Sequence, residues 1–76
     1  EVLSEDKVLY KGRVSSLVVP AKEGYLGVLA DHAPLIAGLI KGKIELQEES
    51  GSRKDFSCEG VGFLEVARNT AAIILQ

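Results

Sequence analysis

Apolar residues fall in short runs along this chain, broken by Gly, Pro, Asp, Asn or Ser, and they almost never recur at the three- and four-residue spacing of a helix face. That pattern predicts an all-β chain. Residues 2–4 and 8–11 read as strands around a turn at Glu5-Asp6-Lys7, and residues 13–19 as a third strand closed by Pro20, which cannot donate to a central ladder. The segment Ala21-Lys22-Glu23-Gly24-Tyr25 reads as a turn in which Gly24 is free to take positive φ, followed by extended structure at 26–29 and a further turn framed by Asp31 and Pro34.

Residues 43–49 alternate most clearly, with Ile44 and Leu46 on one face and Lys43, Glu45 and Gln47 on the other, so one face is wet. Glu49-Ser50-Gly51-Ser52 reads as a hairpin tip. Beyond it Phe56 and Cys58 share a face, Gly60-Val61-Gly62 permits a bend, Leu64 and Val66 share a face, and Arg68-Asn69 turns the chain into a last strand at 70–75. Eight to ten short antiparallel strands cannot lie in one flat layer, because an apolar face must be covered, so the expected fold is a flattened antiparallel β-sandwich. The run 34–40 and the segment 71–75 are apolar at both parities, which leaves greasy side chains on an outer face. Such surplus marks contact surfaces on soluble domains.

The length of 76 residues leaves room for one domain, expected to span residues 1–76. A composition 46% hydrophobic and 26% charged is too apolar for a disordered chain. The longest apolar run, eight residues at 33–40, is interrupted by Pro34 and Gly38 and is far short of the ~20 residues that cross a bilayer. Nine basic and eleven acidic residues give a net charge of −2, with the basic ones scattered from Lys7 to Arg68, which argues against a phosphate-backbone footprint. A lone cysteine, Cys58, rules out an internal disulfide.

The inventory of reactive side chains is thin. His32 and Cys58 cannot by themselves close a four-ligand zinc site, and as a nucleophile and base they are badly placed, Cys58 on an inward strand position and His32 in a turn. Glu45, Glu48, Glu49 and Glu59 alternate with apolar residues in the manner of a solvated strand face. Gly60-Val61-Gly62 precedes a strand and opens no helix, so it lacks the geometry of a nucleotide loop. The four aromatics, Tyr10, Tyr25, Phe56 and Phe63, form no stacking platform for single strands. No cofactor, metal or catalytic residue is assigned.

Two segments are more specific. Glu23-Gly24-Tyr25-Leu26-Gly27-Val28, followed by His32-Ala33-Pro34-Leu35-Ile36, resembles the epsilon subunit of F-type ATP synthases, which carries E-G-x-L-G-(I/V) and then H-A-P-L-(L/I) at this point. Gly62-Phe63-Leu64-Glu65-Val66 resembles that family's second signature, and Lys11-Gly12-Arg13-Val14 leading into Leu17-Val18-Val19-Pro20 also fits. The resemblance covers essentially the whole chain.

It implies a flattened sandwich at the foot of the rotating central stalk, between the gamma subunit and the ring of membrane-embedded c subunits. That is a non-catalytic coupling subunit of proton-driven ATP synthesis, peripheral to the cytoplasmic face of the bacterial inner membrane or its organellar equivalent. By the same resemblance Lys22, Glu23, Gly24, Tyr25, Leu26 and Gly27 lie against the c-ring, and His32, Ala33, Pro34 and Leu35 face gamma, together with apolar side chains not used in the core. Tyr25 stands where longer members carry an acidic residue, and a tyrosine can replace it by packing its ring and donating its hydroxyl. Longer members also continue into a C-terminal helical hairpin; ending at Gln76, the sequence resembles the short form, which is expected not to restrain hydrolysis with a helical arm. Two other readings are a lipoyl or biotinyl carrier domain modified on Lys22, whose usual flanking residues are missing, and an unrelated β adaptor.

Overall fold

A computed structural model describes the backbone of residues 2–3 and 8–76 and the side chains of residues 8–76. Nine strands lie among them: β1 Val2–Leu3, β2 Val8–Tyr10, β3 Val14–Ala21, β4 Gly24–Leu29, β5 Leu35–Leu39, β6 Gly42–Glu48, β7 Arg53–Cys58, β8 Gly62–Ala67 and β9 Thr70–Leu75. The hydrogen-bonded order is β2-β1-β9-β8-β5-β3-β6-β7, with β4 on the other side of β3. The pairings are antiparallel, as expected for the sandwich, with one short exception between β1 and β9, where Val2 and Leu3 run parallel beside Ile73 and Ile74. Ser4 and the expected turn at Glu5-Asp6-Lys7 lie outside the described residues.

The path folds into two layers at β3. This strand pairs with β6 from Val14 to Val18 and then meets β5 only at Ala21↔Leu39. Pro20 falls in that handover, which corrects its reading as a strand end: it lies inside β3, buried, opposite Tyr25 of β4. In an extended strand a residue's N–H and C=O point to the same side, and the Pro20 carbonyl accepts from Ile40 N (2.8 Å), away from β4. The donor that proline lacks therefore points into the gap between β6 and β5, where no ladder bond is lost.

Inward-facing residues of both layers form one core. Leu17, Val19, Val28, Ile44, Leu46 and Cys58 come from β3, β4, β6 and β7, and Leu39, Leu64, Val66, Ile73 and Leu75 from β5, β8 and β9. The second layer is stacked in register, with Leu35↔Val66↔Ala71, Ala37↔Leu64↔Ile73 and Leu39↔Gly62↔Leu75 crossing three strands. The outer face of β6 and β7 is wet as expected, with Lys43 and Asp55 3.5 Å apart in an exposed ion pair. Two connections are tight. Lys22-Glu23 joins β3 to β4 across the Ala21↔Gly24 pair, with Gly24 at φ +121°, and Arg68-Asn69, at φ +52° and +55°, makes the two-residue turn whose twist suits a hairpin.

Candidate functional site

Strand direction sorts the connections between two ends of the sandwich. β3, β5, β7 and β9 finish at one end, so the turns at 22–23, 40–41 and 59–61 gather there with Gln76. At the other end lie residues 11–13, 30–34, 49–52 and 68–69. The two segments singled out in the sequence are thereby separated: Lys22, Glu23 and Gly24 sit at the first end and His32, Ala33 and Pro34 at the second, with Tyr25, Leu26 and Gly27 on β4 running between them and Leu35 opening β5.

The second end is tied together by polar groups. Asp31, at φ +62°, donates its backbone N–H to Asn69 Oδ1 (2.8 Å), which fixes the 30–34 segment to the β8–β9 turn. His32 is half-buried, and its Nδ1 donates to the Ala33 carbonyl (2.7 Å), so the ring braces its own turn while Ala33 and Pro34 stay exposed. Cys58 is buried at the far end of β7, which removes the His32–Cys58 pairing as a nucleophilic site.

At the first end, Tyr25 is two-thirds exposed and leans over the start of β6. A Cβ built on Gly42 would lie 2.7 Å from Pro20 Cβ and 3.1 Å from Tyr25 Oη. Lys22 turns back over the sheet, its Cε 3.5 Å from a Cβ position at Gly38. Gly27, in the middle of the exposed face of β4, has open space above it. β4 forms an edge, paired only with β3 and carrying no charge or proline.

The outer face of the β5–β8–β9 layer carries the apolar surplus. Ile36, Phe63 and Ile74 are all exposed, with Phe63 and Ile74 directly opposed across β8 and β9. Ile36 and Ile74 follow from the two doubly apolar segments. Phe63 had a weaker signal, the outward parity that follows once Leu64 and Val66 are placed inward.

One polar contact was missed in the sequence. The Tyr10 hydroxyl donates to Glu48 Oε2 (2.7 Å), with the Tyr10 ring tilted against Phe56, and that hydrogen bond to a carboxylate raises the phenol's pKa above its ordinary value. Glu48 therefore stands apart from a merely solvated face. An open cleft of about 610 Å³ lies nearby, with Leu17, Leu46 and Ile73 at its floor and Lys11, Arg13 and Glu49 among its lining residues. Among the described residues no group of three His, Cys, Asp or Glu side chains gathers as a metal site would require.

The sequence profile of the family described as "ATP synthase, Delta/Epsilon chain, beta-sandwich domain" matches residues 1–76. The chain belongs to this ATP synthase delta/epsilon family. It is 49% identical over 73 residues to the ATP synthase epsilon chain of Leptospira borgpetersenii serovar Hardjo-bovis, covering 96% of this chain and 56% of that one. Against the ATP synthase epsilon chain of Chlorobium limicola it is 33% identical over 76 residues, covering all of this chain and 85% of the relative. A chain in the structure of Euglena gracilis mitochondrial ATP synthase, determined with OSCP, F1 and c-ring in rotational state 1, superposes with a TM-score of 0.86. The sequence identity there is 27%, over 96% of this chain and 48% of that one. The chain thus spans little more than half the length of its Leptospira relative. No helix among the described residues is long and apolar enough to cross a membrane. Family membership makes this sandwich part of an ATP synthase subunit, and it disfavours the carrier-domain reading of Lys22.

Proposed function

We propose that this sandwich is a non-catalytic coupling element in the central stalk of an F-type ATP synthase, linking gamma to the c-ring during proton-driven ATP synthesis. In this reading it sits peripherally at the cytoplasmic face of the bacterial inner membrane, or at the organellar equivalent. His32, Ala33, Pro34 and Leu35 meet gamma, and the outer apolar row of Ile36, Phe63 and Ile74 extends that contact down one layer. Lys22, Glu23, Gly24, Tyr25, Leu26 and Gly27 meet the ring.

The observation that carries this reading is the placement of the two segments at opposite ends of one packed body. An element that transmits load between two partners needs two separated contacts and a stiff path between them. Interiors of this kind pack as densely as organic crystals, so a displacement imposed at one end is carried to the other with little internal give. Mixing the full chain with gamma and following co-elution tests the reading. A stable complex at mild ionic strength is expected, and failure to associate counts heavily against it.

A further inference from the structure

The connection at residues 30–34 crosses from one layer of the sandwich to the other, since β4 pairs with β3 and β5 with β8. A crossing of this kind has no ladder to hold it. Among the described residues, one hydrogen bond ties it to another part of the chain, from Asp31 N to Asn69 Oδ1 (2.8 Å), across 38 positions of sequence. The other bond of the segment, between His32 Nδ1 and the Ala33 carbonyl, is internal to it.

This latch joins two unusual backbone positions. Asp31 has φ +62° and Asn69 φ +55°, both in the left-handed region, which residues with a Cβ occupy where their surroundings hold them. Asn69 is kept there by the hairpin, because Ala67 and Thr70 pair on either side of the two-residue turn. Asp31 has no such frame. A backbone N–H can only donate, so the oxygen of the Asn69 amide faces Asp31 and its NH2 group points elsewhere. Asn69 and His32 also line one small cleft of about 60 Å³, together with Ala30, so the latch and the imidazole belong to the same corner. Because φ at Asp31 sets the direction of the chain that follows, the bond that fixes Asp31 also aims His32, Ala33 and Pro34.

We propose that Asn69 is the positioning residue of the gamma-facing segment: by accepting from Asp31 N it holds the left-handed step that presents His32, Ala33 and Pro34. The inference rests on the reading of His32 to Leu35 as the gamma contact, and it places part of the strength of that contact in the β8–β9 turn, outside the contact motif. Asn69 acts through Asp31 and need not touch gamma itself.

Dissociation of the full chain from immobilised gamma tests it with two variants. Asn69→Gly removes the acceptor and keeps the turn, because glycine takes positive φ freely and suits a two-residue hairpin loop. Asn69→Asp keeps the acceptor. Asn69→Gly is expected to dissociate roughly fivefold faster, the factor that one ordinary hydrogen bond supplies, with a melting temperature close to that of the parent, while Asn69→Asp stays near the parent rate. In the free chain, Asn69→Gly is expected to speed hydrogen exchange at the Asp31 amide by a similar factor. Combined with His32→Ala, it is expected to add less than its single effect, since both substitutions act through one segment. A lowered melting temperature with an unchanged dissociation rate would make the latch purely structural and overturns the proposal. Equal acceleration by Asn69→Asp, or full additivity with His32→Ala, overturns it as well. A parent chain that does not bind gamma at all defeats the underlying reading of the segment, and the inference falls with it.

Discussion

His32 braces its own turn, and in the proposed function the same turn is a contact with gamma. Its Nδ1 is engaged with the Ala33 carbonyl, so truncation removes a local brace at the half-buried start of the exposed Ala33-Pro34 step. A hydrogen bond of this kind is worth about 1 kcal/mol net, whereas a misplaced loop at a contact loses the whole complementary surface. His32→Ala is therefore expected to weaken co-elution with gamma more than it lowers the melting temperature, and the reverse order would make the histidine purely structural. Tyr10 makes a different prediction. Its folded-state pKa is raised because the hydroxyl donates to Glu48, so the neutral phenol is favoured in the folded chain. That contribution is fully present below the unfolded pKa of about 10 and is lost as pH rises through the higher folded value, where phenolate and carboxylate repel. Tyr10→Phe should flatten the alkaline fall in melting temperature above roughly pH 10, and a parallel fall in both proteins would remove this pair from the cause.

Among the elements, the strands were legible where their two faces differ. The alternation of Ile44 and Leu46 with Lys43, Glu45 and Gln47 set the register of β6, and inverting it would have buried charges. The helix-free pattern, the hairpin tip at residues 49–52 and the Arg68-Asn69 turn were local signals that the structure keeps. The course of β3 was not legible, because the harmlessness of Pro20 depends on β6 leaving and β5 arriving beside it, a relation between residues 20 and 40. The parallel seat of β1 beside β9 joins the two ends of the chain and has no local signature either. Of the proposed contact segments, their residues were visible in the motifs and their separation to opposite ends was not, since it follows from strand direction. Glycines at the corner and edge translate this into a test. Gly42→Ala forces a Cβ against Pro20 at 2.7 Å and should destabilise the chain by about 1–3 kcal/mol. Gly27→Ala, on an open edge without positive φ, should be neutral or stabilise it by up to about 1 kcal/mol. Chemical denaturation of the two variants measures the contrast, and equal effects would contradict the packing described at the corner.

At the scale of the molecule, the consequence of placing the two proposed contacts at separate ends is additivity. The six residues of β4 lead from the Lys22-Glu23 turn towards the His32 segment, and at about 3.3 Å per residue they set the two ends on the order of 17 Å apart along the strand. Substitutions farther apart than about 7–10 Å that share no partner add in free energy to within about 0.5 kcal/mol. Tyr25→Ala should loosen the coupling of hydrolysis to ion pumping in reconstituted vesicles with the fold intact, and His32→Ala should weaken the hold on gamma. Because a densely packed body carries load without itself repacking, the double variant should weaken binding to the rotor by the sum of the single effects. A coupling energy well above that margin in a double-mutant cycle would mean that the ends communicate through a deformable interior, and a sandwich that yields in this way could not serve as a stiff link between gamma and the ring.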